Sequence, residues 1–265
     1  MPPLTPPQLT AAFPIDPKDH IEGLARGLAV IESFDGQHGR MTASEVAART
    51  GIARTAARRY LLTLCHYGFA QTDGKLFWLA PRVLRLGECF LDATRLPGTV
   101  QPAIELLSAR TGQTVNVCVL DGHDVVYIAR SNSPRLISIG FYPGVRVPAH
   151  VVTTGVVLLA ASDESSVQQW VDEHTFTAFT PKTVTDKSVF MNTLRHARAQ
   201  GYWIHEGHLD VGLQGVAVPL RNRQGAAVAA LGITLHRESW PQERVVAELV
   251  PALGETAQSL RSLLR

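Results

Sequence analysis

The sequence predicts an α+β protein with two domains, a helical module that ends in a β-hairpin and a larger domain built on an antiparallel sheet. The chain has 265 residues, which suits two modest domains or one large one. Before residue 80 the pattern reads helix, helix, tight turn, helix, hairpin. After Pro97 it reads helix, strands, helices, strands and a closing helix, the order of an α+β domain.

Composition narrows the class of protein. Hydrophobic residues make up 45% and charged residues 18%, which is ordinary for a globular chain. No apolar run is long enough to span a bilayer, and the N-terminus lacks the pattern of a secretory signal. The three cysteines are too scattered for a disulfide framework or a four-cysteine zinc site. We therefore expect a soluble cytoplasmic protein that contacts no membrane.

The net charge of +2 conceals an uneven distribution. The stretch from Arg40 to Arg85 holds eight basic and two acidic residues, a local charge of +6, so the remainder carries −4. A basic N-terminal module beside a mildly acidic body is typical of a protein that binds nucleic acid through one domain. The alternative is a solvated basic surface.

The N-terminal elements follow from periodicity and capping. Residues 1–16 are rich in proline and threonine and are expected to form a flexible leader, and residues 17–80 the first domain. Apolar residues at helical spacing predict a helix from Asp19 to Phe34. Thr42 and Glu45 form a capping-box pattern for a second helix, Ala43 to Thr50, which Gly51 ends with a tight turn.

A third helix, about Ala53 to His66, carries the strongest indication of DNA binding. Its alanines, Tyr60 and Leu64 cluster on one side, and its arginines and a threonine on the other. Asp73-Gly74 then predicts a hairpin, so the order matches a winged helix-turn-helix. The alternative is a basic surface helix in another α domain. The predicted DNA contacts are Arg40, Thr42, Arg54, Thr55, Arg58, Arg59 and Lys75.

Residues 81–96 predict a linker helix. Its pattern runs from Pro81 to Thr94, and Pro97-Gly98 ends it. Val83, Leu86 and Phe90 lie on one apolar side, which suits pairing with a second copy of the chain because DNA-reading modules commonly dimerise.

Residues 97–265 form the predicted second domain. It is expected to begin with a helix, Val100–Arg110. Three strands should follow, at Thr114–Leu120, Asp124–Ala129 and Leu136–Phe141, and then a loop, Pro143–Pro148. Helices are expected at His150–Ala161, Glu164–Glu173 and Asp186–Gln200. Strands at Tyr202–His205, Leu213–Leu220 and Ala226–Leu235 precede a closing helix, Glu243–Leu264.

Motifs of catalysis and cofactor binding are absent from the sequence. There is no dinucleotide glycine pattern, no phosphate-binding loop and no serine nucleophile elbow. His205-Glu206-Gly207-His208 resembles a metal pair, but the glycine and the preceding strand pattern argue against a metal site. We therefore expect no catalytic residue, no metal and no cofactor.

One constellation in the second domain favours ligand binding. Thr153, Thr154 and Gly155 lie near the start of a predicted helix, where unpaired amides and the helix dipole attract anions. Two hydroxyls there would suit a carboxylate. Ordinary helix capping by the threonines is the alternative.

Four stretches together resemble the IclR family of transcriptional regulators. The resemblance extends from about Ile21 to the C-terminus, and it is strongest to the branch that regulates the catabolism of β-ketoadipate-pathway acids and hydroxybenzoates. The matching stretches are Ala25–Ile31, Gly51–Arg59, Gly144–His150, and Gly212-Leu213 followed by Val216–Pro219.

The resemblance implies a winged helix-turn-helix, a linker helix and a GAF-like effector domain. It implies a homodimer or dimer of dimers on palindromic double-stranded operators, responding to a small aromatic carboxylate of the hydroxybenzoate or protocatechuate type. Gly215 stands where the family usually has cysteine or serine, and we expect it to enlarge the pocket. The implied effector site comprises Leu136, Ile139, Val147, His150, Thr153, Thr154, His205 and Gly215.

A second hypothesis is an α+β enzyme acting on a small carboxylic acid and fused to a helical dimerisation domain. It rests on Cys118, His150 and His205 falling in or near one predicted cavity. The missing catalytic motifs and the basic N-terminal module weigh against it.

Overall fold

The computed structural model describes residues 15–131 and 142–264, and these fall into two compact units. The division lies between Phe90 and Leu91, inside the predicted linker helix rather than at its end. Among the residues described, no helix is both long and apolar enough to cross a lipid bilayer.

The N-terminal unit begins with three helices, α1 (Glu22–Glu32), α2 (Ala43–Thr50) and α3 (Arg54–His66). The predicted capping box is present, because Thr42 Oγ1 accepts from the Glu45 amide and the Glu45 carboxylate accepts from the Thr42 amide. Gly51 has a φ of 69°, a left-handed conformation that favours glycine and turns the chain into α3. α1 is shorter than expected, since Pro17–Asp19 forms a separate 3₁₀ turn.

The expected hairpin follows as β1 (Ala70–Thr72) and β2 (Phe77–Leu79), paired antiparallel with Gln71 opposite Trp78. The Asp73 side chain accepts from the amides of Lys75 and Leu76 and so fixes the turn. Phe77 also bridges to Met41, which ties the wing to the start of α2. The core of this unit comprises Val30, Met41, Ala43, Val46, Ala57, Leu61 and Phe77.

The linker pattern folds as a 3₁₀ turn, Pro81–Val83, followed by α4 (Leu84–Thr94). The break comes at Arg95, whose φ of 53° is left-handed, and α5 (Leu96–Thr111) starts at once. The helix thus ends at Thr94 as expected, but Pro97 and Gly98 do not end it, because both lie in the first turn of α5. Proline is tolerated in the first turn of a helix because the amide it lacks has no partner there.

The C-terminal unit is organised around an antiparallel sheet. The described strands are β3 (Val115–Asp121), β4 (Asp124–Arg130), β5 (Arg146–Pro148), β6 (Trp203–Glu206), β7 (Leu213–Arg221) and β8 (Ala227–His236). Their order is β5-β4-β3-β8-β7-β6. β5 lies within a segment expected to be a loop. The expected strand Leu136–Phe141 lies outside the described residues.

Helices cover both faces of this sheet. On one face, Val115 and Val117 belong to a core with α5 and with the closing helical region, where Val245 and Leu249 follow the short helix α9 (Gln242–Arg244) and precede α10 (Val250–Leu260). On the other face, Cys118 belongs to a core with α6 (Thr153–Ala161), α7 (Glu164–Glu173) and α8 (Lys187–Gln200). The alternation of side chains along β3 thus separates two hydrophobic layers.

The closing helix differs from the single helix expected. A π-helical segment, Val245–Leu249, separates α9 from α10, and Pro251 lies in the first turn of α10. Proline cannot donate the backbone hydrogen bond that a continuous helix needs, which accounts for the irregular turn before it.

Candidate functional site

A recess opens on the sheet face that α6 covers, and the empty space in it, open solvent included, is about 510 Å³. Its floor is the sheet, one side is the N-terminal turn of α6, and another is the loop after β6. The lining comprises Asn116, Tyr127, Val151–Thr154, His205, Gly207–Asp210, Leu213–Gly215 and Gly232–Thr234.

Two glycines let the start of α6 lie directly on the sheet. A Cβ at Gly215 would lie 2.8 Å from Thr153 Oγ1, and a Cβ at Gly232 would lie 2.7 Å from Thr154 Cγ2. Both distances are shorter than packed atoms allow. The sequence led us to expect that Gly215 enlarges the recess. In the structure Gly215 instead makes room for the Thr153 side chain.

The N-terminal turn of α6 is not capped by a side chain. Its N-cap residue is Val152, and no described residue accepts a hydrogen bond from the amides of Thr153 or Thr154. The described lining contains one carboxylate, Asp210, and neither lysine nor arginine, so the attraction for an anion there comes from these amides and the helix dipole. The arrangement suits a small anion such as a carboxylate.

Two buried polar atoms of the lining, Asn116 Oδ1 and His205 Nδ1, have no hydrogen-bond partner among the described residues. The Thr154 hydroxyl, also buried, interacts with the side chains of Cys118 and Tyr127. Asn116 is 2% exposed and Thr154 is 5% exposed. Buried polar groups in folded proteins are almost always hydrogen-bonded, so the two unpartnered atoms point to a polar ligand or to bound water.

His205 lies in β6 and pairs with Gly215 across the sheet. Burial lowers the pKa of the His205 imidazole well below its usual value, and the adjacent His208, with ring centroids 4.1 Å apart, acts in the same direction. The ring is neutral at physiological pH and can donate or accept one hydrogen bond through each nitrogen.

Half of the expected effector residues line the recess. Thr153, Thr154, His205 and Gly215 do so, whereas Val147 and His150 lie outside its described lining. Val147 packs in the core between β5 and the helices. Leu136 and Ile139 lie outside the described residues.

Sequence reasoning missed several lining residues, among them Asn116, Gln214 and Thr234. Asn116 and Gln214 were detectable in principle, because each is a polar residue inside an apolar strand. Both are buried, at 2% and 3% exposure. A buried polar residue in a strand needs a partner, and that need is the indication the sequence carried.

His150 belongs instead to a buried cluster of rings. It lies in the 3₁₀ turn Ala149–Val151 just before α6, and its Nδ1 is 2.8 Å from His174 Nε2. Its Nε2 is 3.0 Å from the Thr177 carbonyl oxygen. His174 stacks on Trp170 with ring centroids 4.3 Å apart. These contacts anchor the turn that precedes α6.

The residues behind the enzyme hypothesis are not assembled. Of Cys118, His150 and His205, only His205 lines the recess. Burial raises the pKa of the Cys118 thiol to about 12, which leaves it protonated and a poor nucleophile. Among residues 15–131 and 142–264, no group of three or more histidine, cysteine, aspartate or glutamate side chains is arranged to hold a metal ion.

The N-terminal unit presents a basic face on α3. Arg54, Thr55, Arg58 and Arg59 are exposed, while Ala57 and Leu61 are buried in the core. Ala53, expected on the packed side, is exposed as the N-cap of α3. No carboxylate among the described residues forms an ion pair with these three arginines. Their guanidinium groups are available to phosphates or base edges.

The remaining expected DNA contacts surround the wing. The Arg40 guanidinium lies 4.2 Å from the centre of the Trp78 ring on β2. Lys75 is exposed in the turn between β1 and β2. Thr42, before the start of α2, uses its hydroxyl in the capping box, where the hydroxyl accepts from the Glu45 amide and donates to the Glu45 carboxylate.

A helix-turn-helix unit with a basic α3, joined in one chain to a unit with a small-anion recess, is the architecture of a ligand-responsive transcriptional regulator. The family description "Bacterial transcriptional regulator IclR C-terminal" matches residues 90–262, and "IclR helix-turn-helix domain" matches residues 23–74. The chain belongs to the IclR family of bacterial transcriptional regulators.

Several curated regulators are similar to this chain over most of its length. The p-hydroxybenzoate hydroxylase transcriptional activator of Acinetobacter baylyi is 39% identical over 252 residues, 93% of this chain and 93% of its own. The Pca regulon regulatory protein of Pseudomonas putida is 34% identical over 257 residues, covering 97% of this chain and 88% of its own. The family and these relatives are transcriptional regulators and not enzymes, and the same holds for this chain.

Solved structures share the fold. A transcriptional regulator from Rhodococcus sp. RHA1 is 35% identical with a TM-score of 0.79, covering 91% of this chain and 97% of its own. The inducer-binding domain of PobR from Acinetobacter, a double mutant in complex with 3-hydroxybenzoic acid, is 34% identical with a TM-score of 0.61. It matches 64% of this chain and 99% of its own length.

Proposed function

We propose that this regulator senses a small aromatic carboxylate, of the hydroxybenzoate or protocatechuate type, and controls the genes that degrade it. The recess carries the proposal, because its uncapped helix N-terminus suits a carboxylate and its buried unpartnered atoms suit further polar groups. The names of the relatives support the chemical class, since two of them regulate p-hydroxybenzoate hydroxylase or the Pca regulon.

In this proposal the acid's carboxylate binds at the amides and hydroxyls of Thr153 and Thr154. The ring lies over the sheet near Gly215, and His205 takes a ring substituent. A neutral imidazole adds no charge to the recess, so the dipole of α6 remains the source of affinity for the anion.

DNA binding is assigned to the N-terminal unit. The exposed arginines of α3 enter the major groove, and Lys75 and Arg40 contact phosphates beside it. The complete proposed interface is Arg40, Thr42, Arg54, Thr55, Arg58, Arg59 and Lys75.

We propose that the chain acts as a homodimer, or as a dimer of dimers, on a palindromic operator. α4 supports this, because Leu84, Leu86 and Phe90 are 71%, 49% and 46% exposed on an amphipathic helix. Exposed apolar side chains on one helix are typical of a surface that pairs with a second copy.

Thermal unfolding of the purified chain with a panel of acids tests the effector. A ligand that binds only the native state raises the melting temperature by an amount that grows with the logarithm of its concentration above the dissociation constant. We expect 4-hydroxybenzoate, 3-hydroxybenzoate or protocatechuate to raise it and a short aliphatic acid such as acetate to leave it unchanged. If no aromatic acid changes the melting temperature, the effector is not a small aromatic carboxylate.

A further inference from the structure

Asn116 occupies the recess side of β3. Its neighbours Val115 and Val117 point into the core shared with α5, whereas Cys118, two residues along, points to the α6 side. The alternation of a strand places Asn116 on that same side. Its side chain is an amide in the run Val115-Asn116-Val117-Cys118, where an apolar residue would pack at lower cost.

The Asn116 amide is next to the threonine cradle, by which we mean the amides and hydroxyls of Thr153 and Thr154 at the start of α6. Asn116 pairs with Gly232 in the neighbouring strand, and Gly232 lies directly under Thr154. One strand spacing, about 4.8 Å, therefore separates the backbone below the cradle from the backbone of Asn116. A benzene ring whose carboxylate sits at Thr153 and Thr154 spans a similar distance.

Asn116 Oδ1 is buried and has no hydrogen-bond partner among residues 15–131 and 142–264. A ring hydroxyl can donate to the amide oxygen or accept from the amide nitrogen, so it satisfies Asn116 in either orientation of the amide. Benzoate, which has no ring hydroxyl, leaves the Asn116 amide without a partner. An acid with a second carboxylate could accept only from the nitrogen of the Asn116 amide and would leave its oxygen without a partner.

On these grounds, and resting on the proposed function of the recess, we infer that Asn116 is a specificity-determining residue. It makes the regulator select acids that carry a ring hydroxyl over plain benzoate. His205, across the cradle in β6, supplies a second neutral polar contact for an acid with two hydroxyls.

The test is calorimetric titration of the full-length protein and of Asn116→Leu with benzoate and with the three hydroxylated acids. The leucine side chain has nearly the same size but offers no hydrogen bond. We expect the native protein to bind at least one hydroxylated acid about tenfold or more tightly than benzoate. In Asn116→Leu that ratio should fall towards one, through weaker binding of the hydroxylated acid and unchanged binding of benzoate.

Asn116→Ser provides a second, smaller variant should the leucine disturb the fold, and Asn192→Leu on the exposed surface of α8 is the matched control. The control should keep the native ratio. Equal ratios in the native protein and both Asn116 variants overturn the inference while leaving the acid-binding recess intact. If the native protein binds none of the four acids, the proposed effector class fails, and the role of Asn116 fails with it.

Discussion

Thr153 at the start of α6 and Gly215 in β7 are in such close contact that a Cβ at position 215 would lie 2.8 Å from Thr153 Oγ1. The same Cβ would lie 3.1 Å from Thr153 Cγ2, so a rotation of the threonine is needed to relieve the overlap. The glycine therefore sets where the Thr153 hydroxyl points, and with it the geometry of the proposed carboxylate cradle.

Gly215→Ala should weaken acid binding, because the added methyl displaces the Thr153 hydroxyl. Overpacking of this kind typically costs about 1–3 kcal/mol of stability. Gly254→Ala is the control, since Gly254 lies in α10 with open space around its Cβ position, and it should be neutral or slightly stabilising. Calorimetry and thermal unfolding check both variants. If Gly215→Ala binds the acid with unchanged affinity, the Thr153 hydroxyl does not contact the bound acid.

Thr154→Val tests the cradle by removing one hydroxyl at nearly constant volume. We expect acid binding to weaken by about tenfold, the effect of losing one hydrogen bond. DNA binding without ligand should survive, because Thr154 lies in the C-terminal unit. Identical calorimetric affinities for the two proteins would remove Thr154 from the site.

Substitution of both Arg58 and Arg59 by alanine tests the DNA interface. Each lost phosphate contact lowers the slope of binding against salt concentration by roughly 1, and a lost base contact relaxes sequence preference. We expect weaker operator binding with a shallower salt dependence, measured by fluorescence anisotropy. Arg195→Ala, on exposed α8, should match the native protein. If the double variant also matches it, α3 is not the recognition helix.

The buried pair His150 and His174 predicts that the protein loses stability in acid. The hydrogen bond from His150 Nε2 to the Thr177 carbonyl leaves His150 Nδ1 to accept from His174 Nε2, so the His150 ring is neutral. Burial, reinforced by His150, lowers the pKa of His174 to about 3, and burial also lowers the pKa of His150. Of the charged groups nearby, Asp124 raises the pKa of His150 and Lys187 lowers that of His174.

Both folded pKa values lie below the unfolded value of about 6.5. The unfolded chain therefore binds more protons in acid. The contribution of the two neutral histidines to the free energy of unfolding is fully present above pH of about 6.5. It is lost as the pH falls, down to about 3 for His174, at a rate of at most about 1.4 kcal/mol per pH unit for each histidine. His174→Gln should lose less stability than the native protein between pH of about 7.5 and 5. His196→Gln, at an exposed position, should show the native pH dependence, and equal losses in all three proteins would refute the assignment.

The elements with strong local determinants could be predicted from the sequence. The Thr42–Glu45 capping box, the turn at Gly51 and the Asp73-Gly74 hairpin each depend on a few adjacent residues, and all three are present. α2 and α7 begin and end at the predicted residues for the same reason. The closing helix was predicted less well, because the effect of Pro251 on the preceding turn depends on how α10 packs.

The site was only partly predictable because it is built across strands that are distant in sequence. Thr153 and Thr154 were found from local helix chemistry. The role of Gly215 depends on which helix lies above it, and the role of Asn116 depends on its pairing with Gly232. His150 lies outside the described lining of the recess because the position of its side chain is set by His174 and Thr177, over twenty residues away.

The central claim is that an acid in the recess changes DNA binding, and coupling of this kind is reciprocal between the two sites. The most direct measurement is titration of a palindromic operator fragment with the full-length protein, with and without saturating 4-hydroxybenzoate. We predict that the acid shifts operator affinity by about fivefold or more, and that Thr154→Val requires a higher acid concentration for the same shift. An operator affinity that is the same with and without every aromatic acid that binds the protein would show that the recess does not regulate DNA binding.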